Sequence, residues 1–252
     1  MRTEIGVAAR PHQADGFSYL TFQPLENKEL IHLFVNKPEN SRKPNQAADS
    51  NVIPTILRSL DFPSRTLVSL KQVHKNRAVV LESKGETKLL HNPLEGDALF
   101  TNRKDLYLTI RVADCLPLYV YDSRSNVIGL IHAGWRGAFL GIVKNALETA
   151  KLVLDLDPSV CLFLLGPCIQ SCCYQIPAEL AILFPSETVQ KRDGKYYLDL
   201  CELNKTQLLE KGAKPQNIYF VKDCTFCNPD IYYSYRRTGN KIERMYAVFG
   251  LR

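Results

Sequence analysis

Short apolar runs, interrupted by polar or turn-forming residues, recur along the chain and predict strands that alternate with helices. Charged residues separate apolar positions three and four apart between Phe139 and Leu154, which indicates an amphipathic helix. Shorter helices are predicted at residues 52–60, 177–183 and 201–211. The predicted strands cover residues 17–22, 66–73, 78–81, 96–101, 106–113, 118–121, 127–131, 160–165, 196–200, 217–221, 231–235 and 245–251.

The stretch from Asn36 to Asn51 is polar, contains two prolines and predicts an exposed loop. Beyond it the elements follow one another without a recognisable linker, so we expect one domain over residues 1–252. No apolar run is long enough to cross a bilayer, and the N-terminal residues show no apolar segment typical of a secretion signal. We therefore expect a cytoplasmic protein without a membrane partner.

The composition narrows the possible partners. Eight cysteines in 252 residues, without a visible secretion signal, favour free thiols over disulfides. The formal net charge of +6 would suit a phosphate-bearing partner, but the basic residues are scattered and no basic run is interleaved with aromatic residues. This distribution argues against nucleic-acid binding and is typical of a solvated basic surface.

The stretch from Arg111 to Gly137 carries the sharpest chemical pattern. It places Cys115 and His132 at the ends of two predicted neighbouring strands, and His74 ends another apolar run upstream. A thiolate and two imidazoles are donors that zinc prefers, and three protein ligands with an open fourth position are typical of catalytic zinc. The alternative is an inert packed cysteine with two hydrogen-bonded structural histidines, because sequence spacing does not establish that the three converge.

Two segments offer cations for an anionic ligand. The AGWRG turn at residues 133–137 opens the amphipathic helix, and its glycines allow the backbone to approach a ligand closely. A helix N-terminus beside Arg136 would attract an anion, whereas the alternative is an ordinary turn with Trp135 in the core. Downstream, Arg236 and Arg237 end a predicted strand and would either hold phosphate or form surface charge.

The remaining candidates are a second zinc site built from the other cysteines and a cysteine-hydrolase dyad at Cys115. Cys224 and Cys227 form a C-x-x-C pair, but the spacing of its possible partners is poor for a zinc knuckle, which disfavours a second zinc. Those partners are Cys168, Cys172 and Cys173. Cys115 with His132 as base would instead be the dyad of a cysteine hydrolase. Two histidines near one thiol favour a metal over that dyad.

Seven motifs stand in the order found in a known family. They are QVH at 72–74, GDAL at 96–99, ADCLP at 113–117, HAGWRG at 132–137, GP at 166–167, CY at 173–174 and SYRR at 234–237. The ADC-x-P and HAGWRG motifs are highly specific, and over residues 66–252 the chain resembles the YfiH-like or laccase-domain family. Members of that family are described as multifunctional purine nucleoside phosphorylases, and an older description is polyphenol oxidase.

The resemblance implies an α+β fold, in a four-layer α/β/β/α arrangement with mixed sheets similar to cytotoxic-necrotizing-factor-type cysteine hydrolases. Residues 1–65 would be a divergent part of the same domain, and the family's zinc ligands fall on His74, Cys115 and His132. The implied activities are phosphorolysis of adenosine, inosine, guanosine and methylthioadenosine, together with adenosine deamination. Five histidines are too few for the centres of a multicopper oxidase, so zinc is favoured over copper.

The chain departs from the family at the start of its first helix, where Val52 stands in place of an arginine. If that arginine holds phosphate in relatives, another must replace it here, and the candidates are Arg10, Arg111, Arg136 and Arg236. The family's Cys-Tyr-Glu is Cys173-Tyr174-Gln175 in this chain. These departures bear on phosphorolysis more than on zinc binding.

The resulting hypothesis is a zinc-dependent purine nucleoside phosphorylase and adenosine deaminase that takes a small nucleoside and phosphate. The predicted catalytic residues are Cys115, His132, Arg136 and Asp114, with Asp122 as an alternative carboxylate. The predicted substrate and phosphate contacts are Arg111, Trp135, Arg136 and Arg236. Three alternatives stay open: a Cys115–His132 hydrolase of an amide such as a cell-wall precursor, a copper-dependent polyphenol oxidase, and a non-catalytic metal-binding scaffold. The sequence does not set the oligomeric state.

Overall fold

The computed structural model describes residues 5–14, 16–37, 52–82 and 94–252. Within these ranges the chain forms six α-helices and sixteen strands. The helices are α1 (Val52–Ser59), α2 (Trp135–Phe139), α3 (Ile142–Leu154), α4 (Ala178–Ala181), α5 (Leu200–Glu210) and α6 (Tyr235–Thr238). The strands are β1 (Ile5–Val7), β2 (Ala9–Ala14), β3 (Phe17–Phe22), β4 (Leu30–Val35), β5 (Thr66–Ser69), β6 (Ala78–Leu81), β7 (Ala98–Thr101), β8 (Leu106–Val112), β9 (Leu116–Asp122), β10 (Val127–Ala133), β11 (Leu162–Leu165), β12 (Gln175–Ile176), β13 (Val189–Arg192), β14 (Lys195–Leu198), β15 (Ile218–Val221) and β16 (Met245–Leu251).

Two large sheets and one small sheet organise these strands. The seven-stranded sheet has the order β1-β15-β11-β9-β10-β7-β6, and the six-stranded sheet has the order β2-β3-β4-β16-β8-β5. Strands β12, β14 and β13 form a small antiparallel sheet. Each large sheet mixes parallel and antiparallel pairs, because β6 runs parallel to β7 and β5 parallel to β8, whereas β10 and β16 run antiparallel to their neighbours. The predicted α+β class with mixed sheets is confirmed.

Three apolar clusters hold these elements together. One joins the two large sheets and includes Leu99, Tyr119 and Leu130 from the seven-stranded sheet and Leu108 and Phe249 from the six-stranded sheet. Another joins the seven-stranded sheet to α3 and α5, and the third joins the six-stranded sheet to α1. Strands β9 and β10 are buried at every position, as expected for strands that are covered on both faces.

The chain passes between the two large sheets near the candidate ligands. After β5 in the six-stranded sheet, residues 70–77 lead to β6 in the seven-stranded sheet, and after β8, residues 113–115 lead to β9. His74 lies on the first of these crossings and Cys115 on the second, whereas His132 lies near the C-terminal end of β10. The fold therefore places the candidate ligands at the seam between the sheets.

Some predicted elements differ from the structure. The predicted strand at 231–235 is wrong, because a turn and an irregular segment lead into α6, whose first turn is capped by the Ser234 side chain accepting from the Arg237 N–H. The predicted helix at 139–154 is divided, because Gly141 adopts a left-handed φ of 75° and begins α3 as a separate helix. Residues 38–51 of the predicted polar loop lie outside the described residues. In the described ranges, no helix is long and apolar enough to span a membrane.

Candidate metal centre

The structure brings His74, Cys115 and His132 together. One ligand atom from each residue lies within 4.8 Å of those of the other two. The two imidazole rings meet edge to face, with ring centroids 4.8 Å apart. His132 is buried, Cys115 is partly buried and His74 is exposed, so the donor set opens to solvent on the His74 side.

Asp97 is the buried carboxylate that positions both histidines. Its Oδ1 lies 2.8 Å from His132 Nδ1 and accepts the His74 backbone N–H at 2.9 Å. Its Oδ2 accepts the backbone N–H groups of Val73 at 3.2 Å and Lys75 at 2.9 Å. A carboxylate on one imidazole nitrogen fixes the ring and its tautomer, which leaves His132 Nε2 as the ligand atom.

The same carboxylate stabilises an unusual backbone conformation. His74 has a φ of 57°, in the left-handed region that residues other than glycine rarely adopt. Three successive N–H groups directed at Asp97 offset the cost of this conformation, and such strain is common at functional sites. In the sequence, Asp97 stands in the GDAL motif, which by itself predicted no role for this carboxylate. The feature of the sequence that points to Asp97 is an acidic residue directly before the apolar run of β7.

Charge in the metal-free centre is shared between thiol and imidazole. Burial opposes ionisation of the Cys115 thiol, but His132 and His74 together lower its pKa to about 6. Burial also opposes protonation of His132, but Cys115 and Asp97 raise its pKa to about 9. For Asp97, burial is outweighed by hydrogen bonds from His132, Lys75 and His74, which lower the pKa of the carboxyl group. In the metal-free centre each of the two groups therefore favours the charged form of the other, and a metal cation can take the place of the imidazolium proton.

Gly134 leaves the space that the ligands need. A Cβ at this position would lie 2.8 Å from Cys115 Sγ and 3.5 Å from His74 Cδ2. The backbone angles of Gly134, φ −81° and ψ 171°, suit any residue. Glycine is therefore required here for space rather than for conformation.

The Gly134→Ala variant is expected to bind metal at this centre about tenfold or more weakly, because the added methyl group displaces the Cys115 thiolate. Competition with a chromophoric zinc chelator measures this affinity. The metal-free variant should lose only about 1–3 kcal/mol of unfolding free energy, the usual cost of a modest overpacking. Wild-type zinc affinity in this variant would contradict the geometric role of Gly134.

Asp114 precedes Cys115 and is held by other contacts. One carboxylate oxygen accepts from Thr225 Oγ1 at 2.6 Å. The other accepts from Ser234 Oγ at 3.0 Å and from the Arg236 backbone N–H at 2.7 Å. These bonds tie the β8–β9 crossing to the segment between β15 and β16, and they favour a positioning role. The predicted catalytic role of Asp114 stays a prediction.

Asp122 lies at the opposite end of β9 from the ligands. Its carboxylate accepts backbone N–H groups from Arg124, Ser125 and Asp157. Six residue steps along an extended strand place it about 20 Å from Leu116, next to Cys115. The alternative assignment of Asp122 as the proton-handling carboxylate is therefore wrong, because the strand separates it from the centre.

An open cavity of about 570 Å³ leads to the three ligands. Its lining residues are Gln72, His74, Arg111, Ala113, Cys115, His132, Arg136, Tyr235, Lys241, Ile242, Arg244 and Tyr246. Four of these are cationic, and within the described chain none of the lining residues is acidic. Burial and the neighbouring Arg111 lower the pKa of the Arg244 guanidinium, as expected where cations gather. The cavity therefore favours an anionic ligand beside the metal centre.

Of the predicted phosphate contacts, Arg111 and Arg136 line this cavity. Trp135 is half-buried and stacks beneath Arg136, whose guanidinium carbon lies 4.6 Å from the ring centroid. Lys241 and Arg244 also line the cavity, although neither was among the predicted phosphate contacts. The feature of the sequence that points to these two cations is the segment KIER at 241–244, whose basic residues follow shortly after the SYRR motif.

Two other candidate arginines bind within the chain. Arg236 donates to the Gln175 carbonyl at 2.7 Å and lies 5.0 Å from the Tyr174 ring centroid. Arg10 forms an exposed ion pair with Glu26 at 2.8 Å. Neither belongs to the cavity lining, so the cations that line the cavity are Arg111, Arg136, Lys241 and Arg244.

The histidine count limits the metal chemistry. His32 is buried and accepts the Phe22 N–H at 3.0 Å, and burial lowers its pKa to about 4. His12 is exposed and pairs with Thr21, whereas His91 lies outside the described residues. Among the described residues, two histidines join the centre, which supports one metal ion rather than a cluster of several coppers.

Comparisons with known sequences extend over most of the chain. Residues 42–252 match the family described as multi-copper polyphenol oxidoreductase laccase. The purine nucleoside phosphorylase YlmD of Bacillus subtilis is 28% identical over 250 residues, which cover 90% of each chain. A purine nucleoside phosphorylase of Borreliella burgdorferi is 32% identical over 229 residues, which cover 87% of this chain and 91% of the relative.

Solved structures show the same fold. YlmD from Geobacillus stearothermophilus aligns with a TM-score of 0.81 at 25% identity, covering 96% of this chain and 98% of that one. The Bacillus licheniformis protein YfiH aligns with a TM-score of 0.80 at 25% identity, covering 94% of this chain and 100% of that one. By its sequence match, its relatives and its fold, the chain belongs to the YfiH-like family, whose sequence model is described as multi-copper polyphenol oxidoreductase laccase.

Proposed function

We propose that the protein is a cytoplasmic, zinc-dependent purine nucleoside phosphorylase that also deaminates adenosine. The observation that carries this proposal is a cationic cavity that opens directly onto a His-Cys-His donor set. The names of the Bacillus and Borreliella relatives support phosphorolysis of a purine nucleoside. Adenosine, inosine, guanosine and methylthioadenosine are the proposed substrates.

The donor set fits zinc. One thiolate and two imidazoles would hold zinc and leave room for a fourth ligand, and the Asp97–His132 contact matches the carboxylate partner that zinc-bound histidines usually have. When bound, zinc supplies a Lewis acid that polarises an oxygen of the substrate. The same donors also bind copper, which the family description names, so the metal content of the purified protein decides between them.

The chain's own cations account for the handling of phosphate. In phosphorolysis, a phosphate oxygen forms the new bond at ribose C1′ while the bond to the purine breaks and the base leaves with the electron pair. Arg111, Arg136, Lys241 and Arg244 would hold the phosphate and offset its charge throughout. A volume of about 570 Å³ lies within the range of ordinary small-molecule sites and suits a nucleoside with phosphate.

Incubation of the purified protein with adenosine and phosphate tests the proposal. Phosphorolysis should yield adenine and ribose 1-phosphate, whereas deamination should yield inosine and persist without phosphate. Removal of metal by a chelator should abolish both activities, and zinc should restore them where copper does not. If zinc-loaded protein forms none of these products, the proposed function is wrong.

The Arg244→Gln variant is expected to raise the KM for phosphate about ten- to hundredfold, because a charge-assisted hydrogen bond contributes about 1.5–3 kcal/mol. The KM for the nucleoside should change little. Arg10→Gln is the matched control, because Arg10 is a surface arginine paired with Glu26 outside the cavity. Equal phosphate KM values in the two variants would contradict a phosphate contact at Arg244.

The same geometry favours a second candidate function in the metal-free state. Cys115, His132 and Asp97 form a nucleophile, base and carboxylate series, as in cysteine hydrolases of four-layer α/β/β/α architecture. Such an enzyme would cleave an amide, for example in a cell-wall precursor. Amide hydrolysis that survives a chelator and stops after alkylation of Cys115 would support it, and inhibition by the chelator would argue against it.

A further inference from the structure

A second group of thiols lies apart from the candidate metal centre. The Sγ atoms of Cys172, Cys173, Cys224 and Cys227 all lie within 4.8 Å of one another. Cys227 Sγ is 3.6 Å from Cys172 Sγ and 3.2 Å from Cys173 Sγ. We call this group the four-cysteine cluster. The sequence spacing disfavours it as a zinc site, but folding brings two distant pairs together.

The first pair lies in a tight turn held by the backbone. The N–H groups of Cys173 and Tyr174 both donate to the Gln170 carbonyl at 2.9 Å. This turn places Cys172 and Cys173 side by side and leads directly into β12. The positions of the two thiols therefore follow from ordinary turn geometry.

The second pair lies in another turn beside the first. The Asn228 backbone and side chain both donate to the Cys224 carbonyl, at 3.3 Å and 2.9 Å, and so close the turn that ends near Cys227. Cys168 and Cys224 form a bridge in parallel register, and the Thr225 N–H donates to the Cys168 carbonyl at 3.1 Å. These backbone contacts hold the two turns side by side, and the four thiols therefore lie close together.

The separations of the thiols fit one metal ion. Zinc binds four cysteine sulfurs at about 2.3 Å in a tetrahedron, which places neighbouring sulfurs about 3.8 Å apart. The contacts at 3.2 Å and 3.6 Å and the limit of 4.8 Å bracket that spacing. An iron–sulfur cluster with several irons would hold its cysteine sulfurs farther apart. Tetrahedral sulfur coordination of a single ion is typical of structural zinc.

A further contact supports a thiolate in this cluster. The Gln170 backbone N–H donates to Cys224 Sγ at 3.4 Å. Hydrogen bonds to coordinating sulfurs are a regular feature of metal sites built from cysteine. All eight cysteines are free, so within the described chain no disulfide competes for these thiols.

We propose that Cys172, Cys173, Cys224 and Cys227 bind a second zinc ion, which closes the two turns against each other. With four protein ligands the ion has no open position, and its role is structural. The turns carry Tyr174, beneath Arg236, and Thr225, whose hydroxyl donates to Asp114 at 2.6 Å. This zinc therefore supports the wall beside the Cys115 crossing without contacting a substrate.

Metal content of the full-length protein tests the site. Protein purified after growth with zinc should carry two zinc ions per chain, whereas Cys227→Ser and Cys173→Ser should each carry one. Cys161→Ser is the matched control and should keep both ions, because Cys161 is a buried cysteine outside both metal groups. The Cys115→Ser variant should also keep the second ion, which separates this site from the catalytic proposal.

Two measurements on the wild-type protein keep the test independent of variant folding. Cobalt substitution should give the intense ligand-field and charge-transfer bands of a tetrathiolate site, in addition to those of a His-Cys-His site. Cys172 and Cys227 are exposed, yet both should resist alkylation until a chelator is added. One zinc per chain with rapid alkylation of these two residues, or a disulfide within the cluster, would overturn the proposal.

Discussion

Serine in place of Cys115 is expected to abolish zinc binding at the candidate metal centre and to lower kcat/KM for adenosine phosphorolysis about a hundred- to a thousandfold. The thiolate is the anionic member of the donor set, and serine is a poor zinc ligand, so two imidazoles would be left to hold the ion. Zinc content and kcat/KM, measured on the same preparation, check this result.

The control for this substitution is Cys161→Ser. Cys161 is buried and its Sγ donates to the Asp157 carbonyl at 3.2 Å, a bond that a serine hydroxyl can also make. This variant should keep its zinc and its activity. Full zinc and full activity in Cys115→Ser would show that Cys115 is neither a ligand nor a catalytic residue.

Asparagine in place of Asp97 is expected to lower zinc affinity about ten- to a hundredfold, the usual effect of losing the carboxylate partner of a ligand histidine. In the metal-free protein it should also lower the free energy of unfolding by about 2–3 kcal/mol. The reason is that the carboxylate is buried and accepts three backbone N–H groups as well as His132. Zinc competition and denaturant unfolding measure the two effects separately.

Asp97 also predicts a pH dependence with a defined sign. The pKa of Asp97 is lowered in the folded chain, so its contribution to stability is present at neutral pH and is lost as the pH falls through the acid range. The metal-free Asp97→Asn variant should therefore lose stability less steeply on acidification. Asp105→Asn, which removes an exposed carboxylate paired with Arg103, is the control and should leave zinc affinity unchanged. Equal zinc affinity in the two variants would contradict the role of Asp97.

The ligands of the candidate centre could be predicted because they end apolar runs. The end of an apolar run indicates where a strand stops, and a cysteine or histidine at that point is conspicuous in the sequence. The mixed α+β class was implied by the family resemblance, because the apolar pattern by itself predicted only that strands alternate with helices. The role of Asp97 could not be predicted in this way, because it depends on how residues 73–75 meet the start of β7.

Contacts between distant segments account for what the sequence did not reveal. Lys241 and Arg244 reach the cavity because the segment before β16 passes beside the β8–β9 crossing, which no local pattern encodes. The four-cysteine cluster joins two turns that lie far apart in sequence, so its spacing resembled no known knuckle. The aromatic residues Tyr232 and Tyr233 suggested a strand, but they are buried in an irregular segment before α6.

The position of the centre at the seam between the sheets has a consequence for cooperativity. One ligand follows β5 of the six-stranded sheet, one lies between the sheets and one ends β10 of the seven-stranded sheet. Because a bound ion would link both sheets, the sheets could separate only when the ion is released, so the two would occur as one opening event. Amide hydrogens of β8 and β10 should then exchange with solvent as one unit in the metal-loaded protein, more slowly as free zinc rises.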